Sequence, residues 1–219
     1  MRLLLVAALC LVVAGCSVGS AAAPRAAGVA HPAGVSVDLA LQPRLDSVVR
    51  IVESIHDEQY IVGGDSAGAV RSNLNRYGPY SPVDDRIYDA ITRWGIQWSF
   101  RYHEEAGACS LQSATIEVVT VTTLPRLSPS SRLDAATMTK WESYLESLTK
   151  HEAGHLNSLR RGVRSLQAAM DDSPAMSTCT ELGLYLNALG NAYQQALRQA
   201  DIEYDAETGH GKTQGATFP

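Results

Sequence analysis

The 219-residue chain carries a net charge of −5, and its 18 basic residues are scattered rather than gathered into a stripe. That pattern excludes nucleic acid and an anionic lipid surface as partners recognised by charge. The length suits one folded domain with a sizeable core, and no internal repeat is present.

The chain opens with Met1-Arg2, an apolar run from Leu3 to Val13 and small residues up to Cys16. This is the pattern of a signal peptide, too short to span a bilayer, and it predicts export. Val13-Ala14-Gly15-Cys16 is similar to the lipobox of bacterial lipoproteins, which makes Cys16 the lipidated first residue of the mature chain and anchors it without a transmembrane helix. The alternative is ordinary cleavage among the alanines at 21 to 23. Residues 17–36 are rich in Ala, Gly, Pro, Val and Ser and read as a flexible tether. The folded domain then spans 37–211, followed by a frayed tail at 212–219.

Within the domain, Val48 to Glu53 and Gln59 to Val62 are rich in β-branched residues and read as two strands before Gly63-Gly64. Asp65-Ser66 offers an N-cap for a short helix over Ala67 to Asn75, ended by Tyr77-Gly78-Pro79. Gly95 to His103 and Ser113 to Leu124 alternate apolar and polar residues around Gly107, which predicts an antiparallel hairpin stopped by Pro125. Asp134 to Met170 carries Met138, Trp141, Tyr144, Leu145, Leu148, Leu159, Val163, Leu166 and Met170 at helical spacing, as two helices or one bent helix ending before Pro174. A last amphipathic helix runs from Cys179-Thr180 through Leu182, Leu186, Leu189, Tyr193 and Leu197 to about Tyr204.

Four cysteines are present. Cys10 lies in the signal and Cys16 at the lipid position, which leaves Cys109 and Cys179 to pair in an exported protein. Closely spaced thiols for a metal site are absent from the sequence.

His151-Glu152-Ala153-Gly154-His155 carries the chemistry. Histidines at i and i+4 on a helix project to one side about a turn apart, where both imidazoles can hold one Zn²⁺. Both fall on the inward stripe with Leu148 and Leu159, where unpartnered imidazoles would be costly. Glu152, one step round, is the general base that takes a proton from water as it attacks a carbonyl. A catalytic zinc takes a third protein ligand and keeps an open position. Ser158 and Arg161 stand where a metzincin would carry Gly and His, so the third ligand comes from elsewhere: Asp201, Glu203 or Asp205 at the end of the last helix, His210 just beyond it, or more remotely His103 or His56. Glu203 or Asp205 could instead orient an imidazole. Arg101, Tyr102 and Tyr204 are candidates for stabilising an oxyanion.

Most of the mature sequence resembles the exported bacterial family known as domain of unknown function 922, regarded as zinc-dependent proteases of the zincin clan. The resemblance rests on Tyr60, Tyr77-Gly78-Pro79, Tyr88-Asp89-Ala90, Trp94, Trp98-Ser99-Phe100-Arg101-Tyr102, Cys109, Thr123-Leu124-Pro125, Trp141, the HEAGH segment, Cys179 and Tyr204-Asp205-Ala206-Glu207-Thr208-Gly209-His210-Gly211. It implies His210 as the third ligand, with Asp205 or Glu203 supporting or competing. By analogy it also implies that the Thr115 to Leu124 strand is the edge strand that holds an extended peptide by β-addition.

The expectation is therefore an α+β, zincin-like domain: a small mixed or antiparallel sheet packed on a long HExxH helix and a C-terminal helix. Its expected activity is that of a zinc peptidase of the cell envelope, lipid-anchored and acting on peptide or protein, with no nucleic acid involved. The alternative is a catalytically inactive zinc-containing lipoprotein that binds peptides.

Overall fold

The computed structural model describes residues 46–219. The signal, Cys16 and the tether fall outside these residues. The domain is α+β, with a mixed three-stranded sheet, three helices and a two-stranded ribbon among the described residues.

Strand β1 (Val49–Val62) is one 14-residue strand where two were expected. His56, Asp57 and Glu58, which suggest a turn by composition, continue it because each has a register partner on the neighbouring strand, from Val121 to Thr123. Helix α1 (Ala67–Tyr77) follows, with the Ser66 side chain accepting from the Ala69 N–H as its N-cap. A short ribbon, β2 (Tyr80–Ser81) and β3 (Arg86–Ile87), leads into β4 (Ile91–Glu105). A tight turn at Ala106-Gly107, both with positive φ, returns the chain as β5 (Ala108–Leu127).

The order β1-β5-β4 makes β5 the central strand, parallel to β1 and antiparallel to β4. This overturns the expected edge role of Thr115 to Leu124: both its edges are already paired, so no peptide can add there. Nor does Pro125 stop the strand. Ala114 and Ser128 both donate backbone N–H groups to the β1 side, which makes even-numbered residues face β1 and turns position 125 the other way. On that side β4 has ended at the Ile91–Thr123 pair, so the missing N–H costs no ladder bond.

The two helices cover one face of the sheet. Helix α2 (Ala135–Asp171) is a single helix of 37 residues, about 55 Å long at the standard rise, capped by the Asp134 carboxylate on the Thr137 N–H. Helix α3 (Cys179–Thr208) begins with Thr178 capping Glu181 and runs antiparallel to α2, so that Leu197 closes on Gly162 and Tyr204 on Gly154. Inward residues of β5, from Ala114 and Ile116 to Val118, meet Leu159, Val163, Leu166 and Met170 of α2 and Leu182 and Leu186 of α3. The Cys109–Cys179 disulfide ties the start of β5 to the start of α3, as the cysteine count predicted.

A second apolar cluster gathers Val62, Val70, Leu74, Trp141, Tyr144 and Leu148 at the other end of α2. The tail that was expected to fray completes it. A 3-10 turn at Lys212–Gln214 brings Ala216 and Phe218 into this cluster, where the Phe218 ring meets Trp141 edge-on at 5.5 Å. Two glycines with positive φ, Gly211 and Gly215, allow the reversal.

Candidate metal centre

Between the two apolar clusters the inward face of α2 turns polar. His151, Glu152 and His155 are all under 10% exposed, although each could ionise in water. Burial on this scale demands partners, and each of the three has them.

The Nε2 atoms of His151 and His155 each lie 3.1 Å from Oδ1 of Asp205. Among the described residues these three form the group whose metal-ligating atoms all lie within 4.8 Å of one another. Asp205 comes from the last turns of α3, which the antiparallel packing carries back to the middle of α2.

The other ring nitrogen of each histidine is also held. His155 Nδ1 lies 3.1 Å from Oδ1 of Asp201, whose Oδ2 accepts the Trp94 indole N–H at 2.6 Å. His151 Nδ1 lies 3.0 Å from Oε1 of Gln214. Asp201 and Asp205 stand four residues apart on α3 and therefore face the same way.

His155 thus meets a carboxylate oxygen at both nitrogens. With both carboxyls ionised, two arrangements satisfy it. Either the ring is an imidazolium donating twice, or Nδ1–H donates to Asp201 and the Nε2 lone pair goes to a cation shared with Asp205. Without a cation the first holds: burial pulls the His155 pKa down, but hydrogen bonds to Asp201 and Asp205 and the charges of Asp205 and Glu152 raise it to about 10. Asp205 is the mirror case. Burial raises its pKa, but the His151 and His155 hydrogen bonds and the His155 and His210 charges hold the carboxyl well below the usual range.

These residues fit a zinc ion. Tetrahedral ligand atoms at zinc distances stand about 3.3 Å apart, close to the 3.1 Å separations between each imidazole and Asp205. Two imidazoles and a carboxylate, each imidazole with its second nitrogen fixed, are the donor set and outer support that zinc uses.

Glu152 points to the β4 side, where its Oε2 accepts the Thr92 hydroxyl at 2.7 Å. Burial raises its pKa, with the Thr92 bond and the two histidines opposing. Thr92 belongs to a segment held on several sides. The Asp89 carboxylate accepts from Arg71 and from the Tyr144 hydroxyl, while its backbone carbonyl accepts from Tyr60. Burial is the main reason that the Tyr60 and Tyr144 phenols are pushed above their ordinary range.

Tyr204 lies flat on His151, with ring centroids 5.1 Å apart and planes 9° apart, and edge-on to His155. Any Cβ at position 154 would overlap the Tyr204 hydroxyl and ring, so the glycine of the HEAGH segment is the gap through which Tyr204 reaches the site.

The remaining sequence candidates lie as follows. His210, expected as the third ligand, is outside the group of three. Its Nδ1 stands 3.4 Å from Asp205 Oδ1, its side chain is 43% exposed, and its ring packs on Tyr88 at 4.9 Å. It lies beside Asp205, itself part-exposed. Glu203 is exposed, on the outward side of α3, and accepts from Gln199. It lies two residues from Asp201 and Asp205, about 200° around the helix, so it cannot share their face. His103 pairs with Glu105 near the far end of the β4–β5 hairpin, and His56 is exposed on β1. Arg101 is exposed on β4, and the Tyr102 hydroxyl sits against Gly183. Gly183 lies about 33 Å along α3 from Asp205 by helical rise, so neither Arg101 nor Tyr102 serves this site. The Tyr204 hydroxyl is turned to the His151 backbone carbonyl and Gln214 rather than outward.

Thr92 and Gln214 escaped the sequence reading. Thr92 lies ahead of the strand expected from Gly95, in the part of β4 that the structure extends back to Ile91, and nothing local marks it. The tail held a signal, since a lone Phe218 after Gly211 and Gly215 is an apolar residue in search of a core.

The family model for "Bacterial protein of unknown function (DUF922)" matches residues 57–211. The chain belongs to this family. The match covers β1 from its middle onward, both long helices and the closing turn at His210-Gly211, but stops before Gln214. No curated protein and no solved structure matches the chain.

Proposed function

We propose that this chain is a zinc-dependent hydrolase of the bacterial cell envelope that cuts peptide bonds, on a zincin-like fold. The observation that carries it is the convergence of His151 Nε2, His155 Nε2 and Asp205 Oδ1 beside a buried glutamate. His151, His155 and Asp205 would hold the metal, with His210 next to Asp205.

Zinc held there supplies Lewis-acid polarisation of a carbonyl and brings the pKa of water near neutrality. The protein's own groups do the rest. Glu152, with its pKa raised by burial, accepts the proton of the attacking water and returns it to the leaving amine. Thr92 donates to one carboxylate oxygen and so leaves the other free for that transfer. Asp201 keeps His155 in the orientation and tautomer that a ligand needs.

An envelope location draws on the signal and lipobox patterns and on the disulfide, which suits an oxidising compartment. Among the described residues no helix is long and apolar enough to cross a membrane. Zinc analysis of the purified protein, paired with cleavage of an unfolded protein or a broad peptide library, tests the proposal. Stoichiometric zinc with cleavage that disappears in Glu152→Gln is expected. Zinc without cleavage would favour the peptide-binding alternative, and no zinc even after loading would sink both.

A further inference from the structure

Gln214 is a neutral amide, yet it stands where an orienting carboxylate is expected, and its two ends are chemically opposite. Only the carbonyl end serves a metal ligand, because only it can accept Nδ1–H and leave the Nε2 lone pair free. Something must fix which end faces His151.

Gln214 Oε1 lies 3.0 Å from His151 Nδ1, and its Nε2 lies 3.0 Å from the Tyr204 hydroxyl oxygen. That hydroxyl is 3.3 Å from the backbone carbonyl of His151. A carbonyl can only accept, so Tyr204 donates to it, the nearer of the hydroxyl's two acceptors, with Gln214 Oε1 at 3.5 Å. Its oxygen then accepts the amide N–H of Gln214, which leaves the amide carbonyl for the imidazole. The bonds close into a ring that starts and ends on His151, and every direction follows from one backbone carbonyl. Two glycines make room for the ring: Gly154 admits Tyr204, and Gly211, at φ 79°, brings the tail to within 3.0 Å of His151 Cγ for any added Cβ.

We propose that Tyr204 and Gln214 are positioning residues that set the tautomer of His151, with the 212–219 tail acting as the strap that holds Gln214 in place. This rests on the metal reading of His151 and goes beyond it. Ala216 and Phe218 anchor the strap in the apolar cluster around Trp141 and Tyr144. Tyr204 therefore contributes to metal binding without touching the metal, and the amide matters for its direction as much as for its bond.

Zinc affinity of the full chain, measured by competition with a chromophoric chelator, tests this in four variants. Tyr204→Phe keeps the ring stacked on His151 but loses the hydroxyl, and Gln214→Leu removes the acceptor. Each should lose about 10- to 100-fold in affinity, the usual cost of removing an outer partner. Gln214→Glu should retain affinity, because a carboxylate accepts at either end. For the same reason Tyr204→Phe combined with Gln214→Glu should recover what Tyr204→Phe loses. Thermal melting of the chelated proteins checks that each variant folds. Full affinity in Tyr204→Phe, or no recovery in the double variant, would overturn the tautomer ring while leaving the zinc site intact. A wild-type protein that binds no zinc would instead remove the metal reading beneath it.

Discussion

The two stretches of α2 on either side of Gly162 bury the same face of one helix against the same sheet, yet they are built on different terms. Beyond Gly162 the stripe is Val163, Leu166 and Met170 against Leu182 and Leu186, apolar throughout and tied by the disulfide. Before it, between Leu148 and Leu159, stand His151, Glu152 and His155, each held through side-chain atoms at particular distances. An apolar contact asks only for volume, and many side chains supply that. A buried imidazole needs a partner at each nitrogen, and losing one strands the other. One region is specified by shape, the other by direction.

Glu152→Gln should break the polar region most severely: turnover falls by about 10²- to 10⁴-fold while zinc stays bound, measured by peptide cleavage and metal analysis. At the apolar end, converting Cys109 and Cys179 together to serine should lower unfolding stability by roughly 4 kcal/mol through the freed 70-residue span, read by denaturant titration. Leu166→Ala, at a fully buried position, should cost about 2–5 kcal/mol yet leave the zinc affinity of the folded protein unchanged. The converse is Asp201→Asn, expected to weaken zinc by about 10- to 100-fold with little effect on chelated stability. If Leu166→Ala weakened zinc as much as Asp201→Asn, the two regions would not be separable. Smallest of all, Arg160→Ala should cost under about 1 kcal/mol, since its pair with Glu53 at 2.8 Å is partly solvated.

The same contrast explains what was legible in the sequence. Apolar periodicity placed both long helices, and the shared face of Leu148, His151, His155 and Leu159 marked the site, because a stripe is a local pattern. The cysteine count gave the disulfide. Strand order was not legible: β5 alternates as well as any edge strand would, and only tertiary pairing puts it in the centre. Nor was the choice between Asp205 and Glu203, which depends on the rotation of α3 against α2. Gln214 and Thr92 are polar residues whose meaning lies wholly in what they face across the fold. His210 shows the limit of resemblance: it lies beside the donor group, yet the oxygen that both imidazole Nε2 atoms share at 3.1 Å belongs to Asp205.

Because α2 is continuous for 37 residues, its backbone ladder passes through both apolar clusters with the histidines between them. The two clusters therefore cannot open as separate units without breaking that ladder around His151 and His155. Amide hydrogens around Tyr144 and around Leu166 should exchange at a common slow rate, and zinc should slow both by the same factor. Metal captured at one turn of the helix would then protect peptide groups several turns away in either direction, without a hinge to carry the message.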